Sequence, residues 1–185
     1  MSAIDRLVSN YERQVQLPWA ANVAGKQRVW FAVYPPADER RVRARLPSFE
    51  ESTLAAGHGW ASVDLTRLLP EWLAAHKYRE SVFKEPRFLK TGKELEIRAA
   101  ALVTEACTRE GVDSNSVIAV IGLASLFDFM KVSDLIDRVE DTVRGRLLVF
   151  FPGEYQRNIY RFMDARDGFN YMAVPITSAE SFINA

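Results

Sequence analysis

Residues 117–121 read VIAVI and residues 147–151 read LLVFF, two runs of five apolar side chains with no polar interruption. Five residues suit a strand and fall short of a stable helix. A strand with one wet face alternates apolar and polar residues, so an unbroken apolar run implies a strand covered on both faces, the usual situation in parallel sheets. The flanking sequence supplies the covers. Upstream, Leu95, Ala99, Leu102, Val103, Ala106 and Cys107 recur at helical spacing until Gly111. Downstream, Leu135, Ile136, Val139 and Val143 form a second amphipathic helix that Gly145 ends. Helices that alternate with buried strands predict an α/β fold.

The same alternation continues outward. Residues 28–34 (RVWFAVY), ending at Pro35-Pro36, and residues 60–65 (WASVDL) read as two further strands. A helix over residues 2–16 carries Ile4, Leu7, Val8, Tyr11 and Val15 on one face, with Ser2 as its cap and Leu17-Pro18-Trp19 as its stop. Pro36 suits a first helical turn, with Asp38 and Glu39 near the positive end of the dipole. That helix is expected to break before Pro47, and Ser48 with Glu51 has capping-box spacing for a short helix ending at Gly57. Thr66 is expected to cap the helix bearing Leu69, Trp72 and Leu73, and Thr91 with Glu94 repeats the capping-box spacing ahead of the helix after it. Residues 78–90 lack a period and read as a surface excursion. Beyond Pro152-Gly153 the pattern changes: Ile159 to Met163 and Asn170 to Ile176 flank a turn-rich segment from Asp164 to Gly168. They either close a hairpin or send the last strand into the main sheet. The expectation is one α/β domain over residues 1–185. It would be a three-layer sandwich with a mostly parallel central sheet of about five strands, Rossmann-like or degenerate P-loop-like, whose strand carboxyl ends form the binding rim.

Composition narrows the function classes. Lys plus Arg equals Asp plus Glu at 24 each, so the overall field favours neither nucleic acid nor an anionic membrane. Cys107 is the sole cysteine, which rules out an internal disulfide and a cysteine-based zinc site and suits a reducing cytoplasm. The N-terminal residues have no apolar run of signal-peptide type, and no window nears the ~18 apolar residues of a membrane span. A cytoplasmic protein with no membrane association is expected.

Chemistry-bearing motifs fail in detail. Neither Gly25-Lys26, with Ala20 upstream and Gln27 after it, nor Gly92-Lys93, with Arg87 upstream and Glu94 after it, completes a phosphate-binding P-loop. Gly57-His58-Gly59 precedes a strand where a dinucleotide fingerprint must follow one, and reads as a helix cap and tight turn. Ser125 lies on the expected rim but outside a nucleophile elbow, and His58 and His76 are the only histidines that could activate it. Asp64, Asp164 and Asp167 could hold Mg²⁺ if the fold gathered them, although the last two also read as turn residues. Cys107 falls on an apolar stripe and reads as core. No catalytic residue, cofactor or metal ligand is assigned.

Three candidate surfaces remain. Arg40, Arg41, Arg43 and Arg45 place four cations within six residues, a candidate contact for nucleic acid or an acidic protein, with nearby acidic residues to neutralise it. Residues 126–130 (LFDFM) crowd large apolar groups into a loop after a strand. There Phe127, Phe129 and Met130 either face a partner or fold back over the sheet edge. Tyr155 and Tyr160 are a second candidate contact.

Several segments together resemble the BrxB family of BREX phage-defence systems: Leu17-Pro18-Trp19, RVWFAVYPP from Arg28, GHGWASVDLT from Gly57, VIAVIGLASLFDFMKVSDLI from Val117, and GRLLVFFPGEYQRNIYRFMDARDGFNYMAVPI from Gly145. The long last block is the most specific, and residues 78–90 have no counterpart. The resemblance implies a non-catalytic accessory or adaptor protein, encoded beside an AAA-type ATPase, an adenine methyltransferase and a PglZ-type protein of the alkaline-phosphatase superfamily. It implies the PglZ-type component as partner, with other BREX proteins as further contacts, and brings no established catalytic residues.

Overall fold

The computed structural model describes residues 1–89, 93–165 and 168–179. Its frame is a six-stranded sheet: β1 (Val29–Tyr34), β2 (Gly59–Asp64), β3 (Ser116–Ile121), β4 (Arg146–Gln156), β5 (Ile159–Phe162) and β6 (Val174–Ile176). β2-β3-β4-β1-β6 is a parallel ladder, and β5 pairs antiparallel with the far end of β4. The expected fold class holds. VIAVI and LLVFF lie in β3 and β4, the second and third strands of the ladder, and every residue of the two runs is buried.

Successive residues of a strand point to opposite faces, so each apolar run feeds two cores. Leu148 and Phe150 join Trp30, Ala32, Val117 and Ala119 beneath α1 (Ala3–Gln16), α2 (Glu39–Ala44) and α3 (Leu46–Ala55). Leu147, Val149 and Phe151 join Val29, Phe31, Ile118 and Val120 on the opposite face. Its covers include α4 (Leu68–Ala75), α6 (Glu94–Thr108) and α7 (Val132–Val139), while α5 (Arg79–Lys84) lies between α4 and α6 in sequence. The chain uses the α1 face to pass from β1 out to β2 and the other face to return through β3 to β4. A constant crossover hand requires that change of face. The connections of the adjacent strands β1 and β4 therefore leave toward opposite faces, where parallel α/β sheets open their binding crevices.

Local signals hold where backbone groups are free to use them. Ser2 caps α1 in a complete capping box with Asp5. α2 ends at Ala44, before Pro47 as expected, but the next helix does not wait for Ser48: α3 begins at Leu46, because a proline in a first turn lacks only an N–H that would have no partner there. Ser48 is thus inside α3, its carbonyl accepting the Ser52 hydroxyl at 2.8 Å. Thr66 does not cap α4, which starts after Arg67, since the Thr66 hydroxyl is engaged by Asp64 and Arg43. Thr91 lies outside the described residues. Through Leu89 the excursion is mainly exposed, with α5 and a short turn of 3-10 helix.

The C-terminal reading needs the largest correction. β4 runs eleven residues, straight through Pro152 and Gly153, and turns at Arg157-Asn158 into β5. Those two residues have φ of 51° and 65°, the left-handed pair of a two-residue hairpin. Gly153 is required by contact: a Cβ there would lie 2.1 Å from the Arg161 carbonyl oxygen. Of the two alternatives for the segments flanking residues 164–168, the second holds: β6 joins the main sheet in parallel with β1, and the hairpin is reduced to one antiparallel bridge, Tyr160 to Phe169.

Candidate functional site

The carboxyl edge of the sheet carries two features. The first begins at β3, where Gly122 turns the chain at φ 84°. A Cβ there would meet the Thr66 nitrogen at 2.5 Å and Asp64 Oδ1 at 2.6 Å, so the ends of β2 and β3 meet in direct contact. Asp64 accepts from the Thr66 amide at 2.9 Å and from Arg43 at 3.1 Å, and Arg43 also donates to Thr66 Oγ1 at 2.5 Å and Glu39 at 2.9 Å. The Tyr34 hydroxyl completes the chain, donating to Glu39 at 2.6 Å. Burial pushes the Asp64 carboxyl up, but hydrogen bonds from Arg43 and Thr66 and the Arg43 charge outweigh it and hold it below the usual carboxylate range. Burial and the Glu39 carboxylate raise the Tyr34 phenol well above its ordinary value. This network ties β1, α2, β2 and β3 together.

The second feature is a groove. After Gly122 a single 3-10 turn buries Leu123 and Leu126 and sets Phe127, Phe129 and Met130, each half-buried, along a cavity of about 660 Å³. Asp128, between the phenylalanines, is exposed with φ of 66°, a conformation that non-glycine residues seldom hold, and it lines the same cavity as both neighbouring rings. The β4–β5 unit forms the opposite wall, with the Phe127 ring 5.8 Å from Phe162 in edge-to-face contact and Phe169 beyond it. Lys93, Lys131, Asp128 and Asp134 edge the apolar strip, and Glu96, nearly buried, is bound to Arg138. An apolar strip with charges of both signs at its margin has the make-up of a protein contact surface.

The other candidate residues separate cleanly. Tyr160 is not available to a partner: it is fully buried, its hydroxyl donating to the Ala173 carbonyl at 2.9 Å and its ring packed on Phe31. Tyr155 is half-buried against Tyr160, with its hydroxyl on Asn158 at 2.9 Å. The arginine run is largely consumed internally. Arg41 pairs with Asp38, Arg43 with Glu39 and Asp64, and Arg45 with Asp5; Arg40 alone of the four has no ion pair among the described residues. Ser125 donates to the Gly122 and Leu65 carbonyls as a turn residue. His58 bonds Asn115 and the Val15 carbonyl, and His76 accepts from the Tyr78 amide, so neither engages Ser125. Asp164 is exposed beyond β5, Asp167 lies outside the described residues, and among the described residues no three His, Cys, Asp or Glu side chains are grouped to hold a metal ion. Burial pushes the Cys107 thiol up, keeping it protonated in the core.

Phe162, Phe169, Glu96 and Lys93, which complete the groove, carry no local signal, because topology alone brings α6 and the β4–β5 unit beside the loop after β3. Among the described residues no helix is long and apolar enough to cross a membrane. No family model, curated protein or solved structure matches the chain.

Proposed function

We propose that this chain is a cytoplasmic, non-catalytic adaptor of a BREX phage-defence system, which holds the PglZ-type component through the groove at the carboxyl edge of its sheet. The observation that carries the docking reading is the half-buried set Phe127, Phe129 and Met130, presented along one open cavity by a loop in left-handed conformation at Asp128. The defence setting rests on the sequence resemblance. Aromatic and methionine side chains at the centre of a contact, ringed by charges, supply most of the binding energy of such surfaces.

Co-expression with the PglZ-type protein and size-exclusion chromatography test the pairing, which predicts one co-eluting peak at micromolar concentration in moderate salt. Phe129→Ala should weaken the complex by about 2 kcal/mol, roughly thirtyfold in Kd. The circular-dichroism spectrum should stay unchanged, because Phe129 is only half-buried. Separate elution of the two wild-type proteins refutes the adaptor reading. Co-elution that survives Phe129→Ala and Met130→Ala undiminished moves the contact elsewhere.

A further inference from the structure

We propose that the amino edge of the sheet, opposite the groove, binds a phosphate dianion through the guanidinium groups of Arg28 and Arg146 and the indole N–H of Trp19. Arg146 is the first residue of the central strand β4, and strand alternation sets its side chain on the α1 face with Leu148 and Phe150. It is 6% exposed. No carboxylate among the described residues pairs with it. It donates to the carbonyls of Gly145 at 3.0 Å and Ala20 at 3.2 Å, and its guanidinium carbon lies 4.8 Å from the Trp19 ring centre and 5.9 Å from that of Trp30.

Arg28 immediately precedes β1, and the pairing of Val29 with Leu147 sets it beside Arg146 on the neighbouring strand. It donates to the Val143 carbonyl at 2.8 Å and likewise has no carboxylate partner among the described residues. Like charges on adjacent strands repel, and a buried guanidinium without an anion is costly. Burial, and then the Arg28 charge, lower Arg146 from its ordinary value. A guanidinium has five N–H donors, of which the described residues accept two from Arg146 and one from Arg28.

The third donor is independent of these charges. Trp19 Nε1 is buried with no acceptor among the described residues, against the rule that buried polar atoms are hydrogen-bonded. The indole is also held in place: His58 stacks on it at 3.8 Å and 10°, and the His58 nitrogens bond Asn115 and Val15. Trp19 and Arg28 are each half-buried, so part of this cluster reaches the surface.

Charge selects the ligand class. A phosphate carries about −1.5 to −2 at pH 7 and balances two guanidiniums, whereas a carboxylate balances one. Planar guanidinium forks also match phosphate oxygens in pairs. Nucleic-acid backbone fits poorly, since each diester carries one charge and Arg146 is too deeply buried for a duplex to reach. Inorganic phosphate and a phosphomonoester share the required dianion.

Calorimetric titration of the full chain with sodium phosphate and, separately, with glycerol phosphate in chloride buffer of constant ionic strength tests the site. Saturable one-to-one binding of either probe is expected, and which probe binds tells whether the free ion or an ester is the natural ligand. At ten times its Kd the probe should lower the apparent unfolding constant about tenfold, an effect absent in Arg28→Gln. Arg28→Lys, which keeps the charge but loses the fork, should bind more weakly and keeps the test decisive if the Gln variant does not fold. Equal stabilisation of wild type and both variants would be a general salt effect and refutes the site. So does the absence of binding by both probes at tens of millimolar, well above any useful affinity.

Discussion

Asp64 ends a strand on the edge where parallel sheets bind ligands, and a free carboxylate there would suit acid–base or metal chemistry. Arg43 and Thr66 take up its oxygens instead. The consequence is a pH dependence with a definite sign. A carboxyl whose folded pKa is depressed contributes stability fully above its unfolded value, near 3.9, and loses it as pH falls through the lower folded value. Urea midpoints of wild type and Asp64→Asn should therefore differ at neutrality, and the difference should shrink steadily as pH falls below about 3.9 and through the lower folded value; a difference that does not shrink in acid would mean the side chain acts through packing. Gly122 gives the sharper test of the same junction. Its φ of 84° and the 2.5 Å approach of Thr66 to a built Cβ leave an alanine both strained and in collision. Gly122→Ala should cost about 2 kcal/mol or more in urea unfolding, and a cost below about 0.5 kcal/mol would show that the β2–β3 junction is looser than its geometry.

At the level of elements, the β4–β5 hairpin shows how far sequence alone could reach. Its turn residues are Arg157 and Asn158, where sequence reasoning looks for Asn-Gly or Asp-Gly, so the turn carried no recognisable signal. Arg157 therefore holds a left-handed conformation at some cost, and Arg157→Gly should raise stability by about 0.5–1 kcal/mol in thermal or urea unfolding. An unchanged or lower midpoint would indicate that the Arg157 side chain stabilises the turn. The parallel strands, by contrast, were legible because double-sided burial leaves an unbroken apolar run, as in VIAVI. The rim loop was also legible, since Phe127, Phe129 and Met130 cluster within four residues. Tyr160 was misread for the complementary reason: strand alternation in a short hairpin does not reveal which face a crossover will cover, and the chain passing to β6 closes over it. The arginine run was half legible, because Asp38 and Glu39 are local partners whereas Asp5 and Asp64 arrive through the fold.

For the molecule as a whole, balanced net charge conceals opposite specialisations at the two ends of one sheet. The carboxyl edge gathers apolar groups in a groove, and the amino edge gathers two arginines that have no carboxylate partner among the described residues. β4 connects them, with Arg146 at its start and Pro152, six residues on, where the hairpin departs. At about 3.3 Å per residue the two ends lie about 20 Å apart. Perturbations at that separation with no shared partner add, usually within about 0.5 kcal/mol, whereas a sheet that transmits strain between its edges produces a larger coupling. The cycle of wild type, Phe129→Ala, Arg28→Gln and the double variant measures this directly. Unfolding free energies from urea titration should add within that margin, with phosphate saturating or absent. The Phe129→Ala protein should bind phosphate as tightly as wild type. A coupling above about 1 kcal/mol, or a severalfold change in phosphate affinity on Phe129→Ala, would instead mean that β4 carries a two-state rearrangement joining the edges.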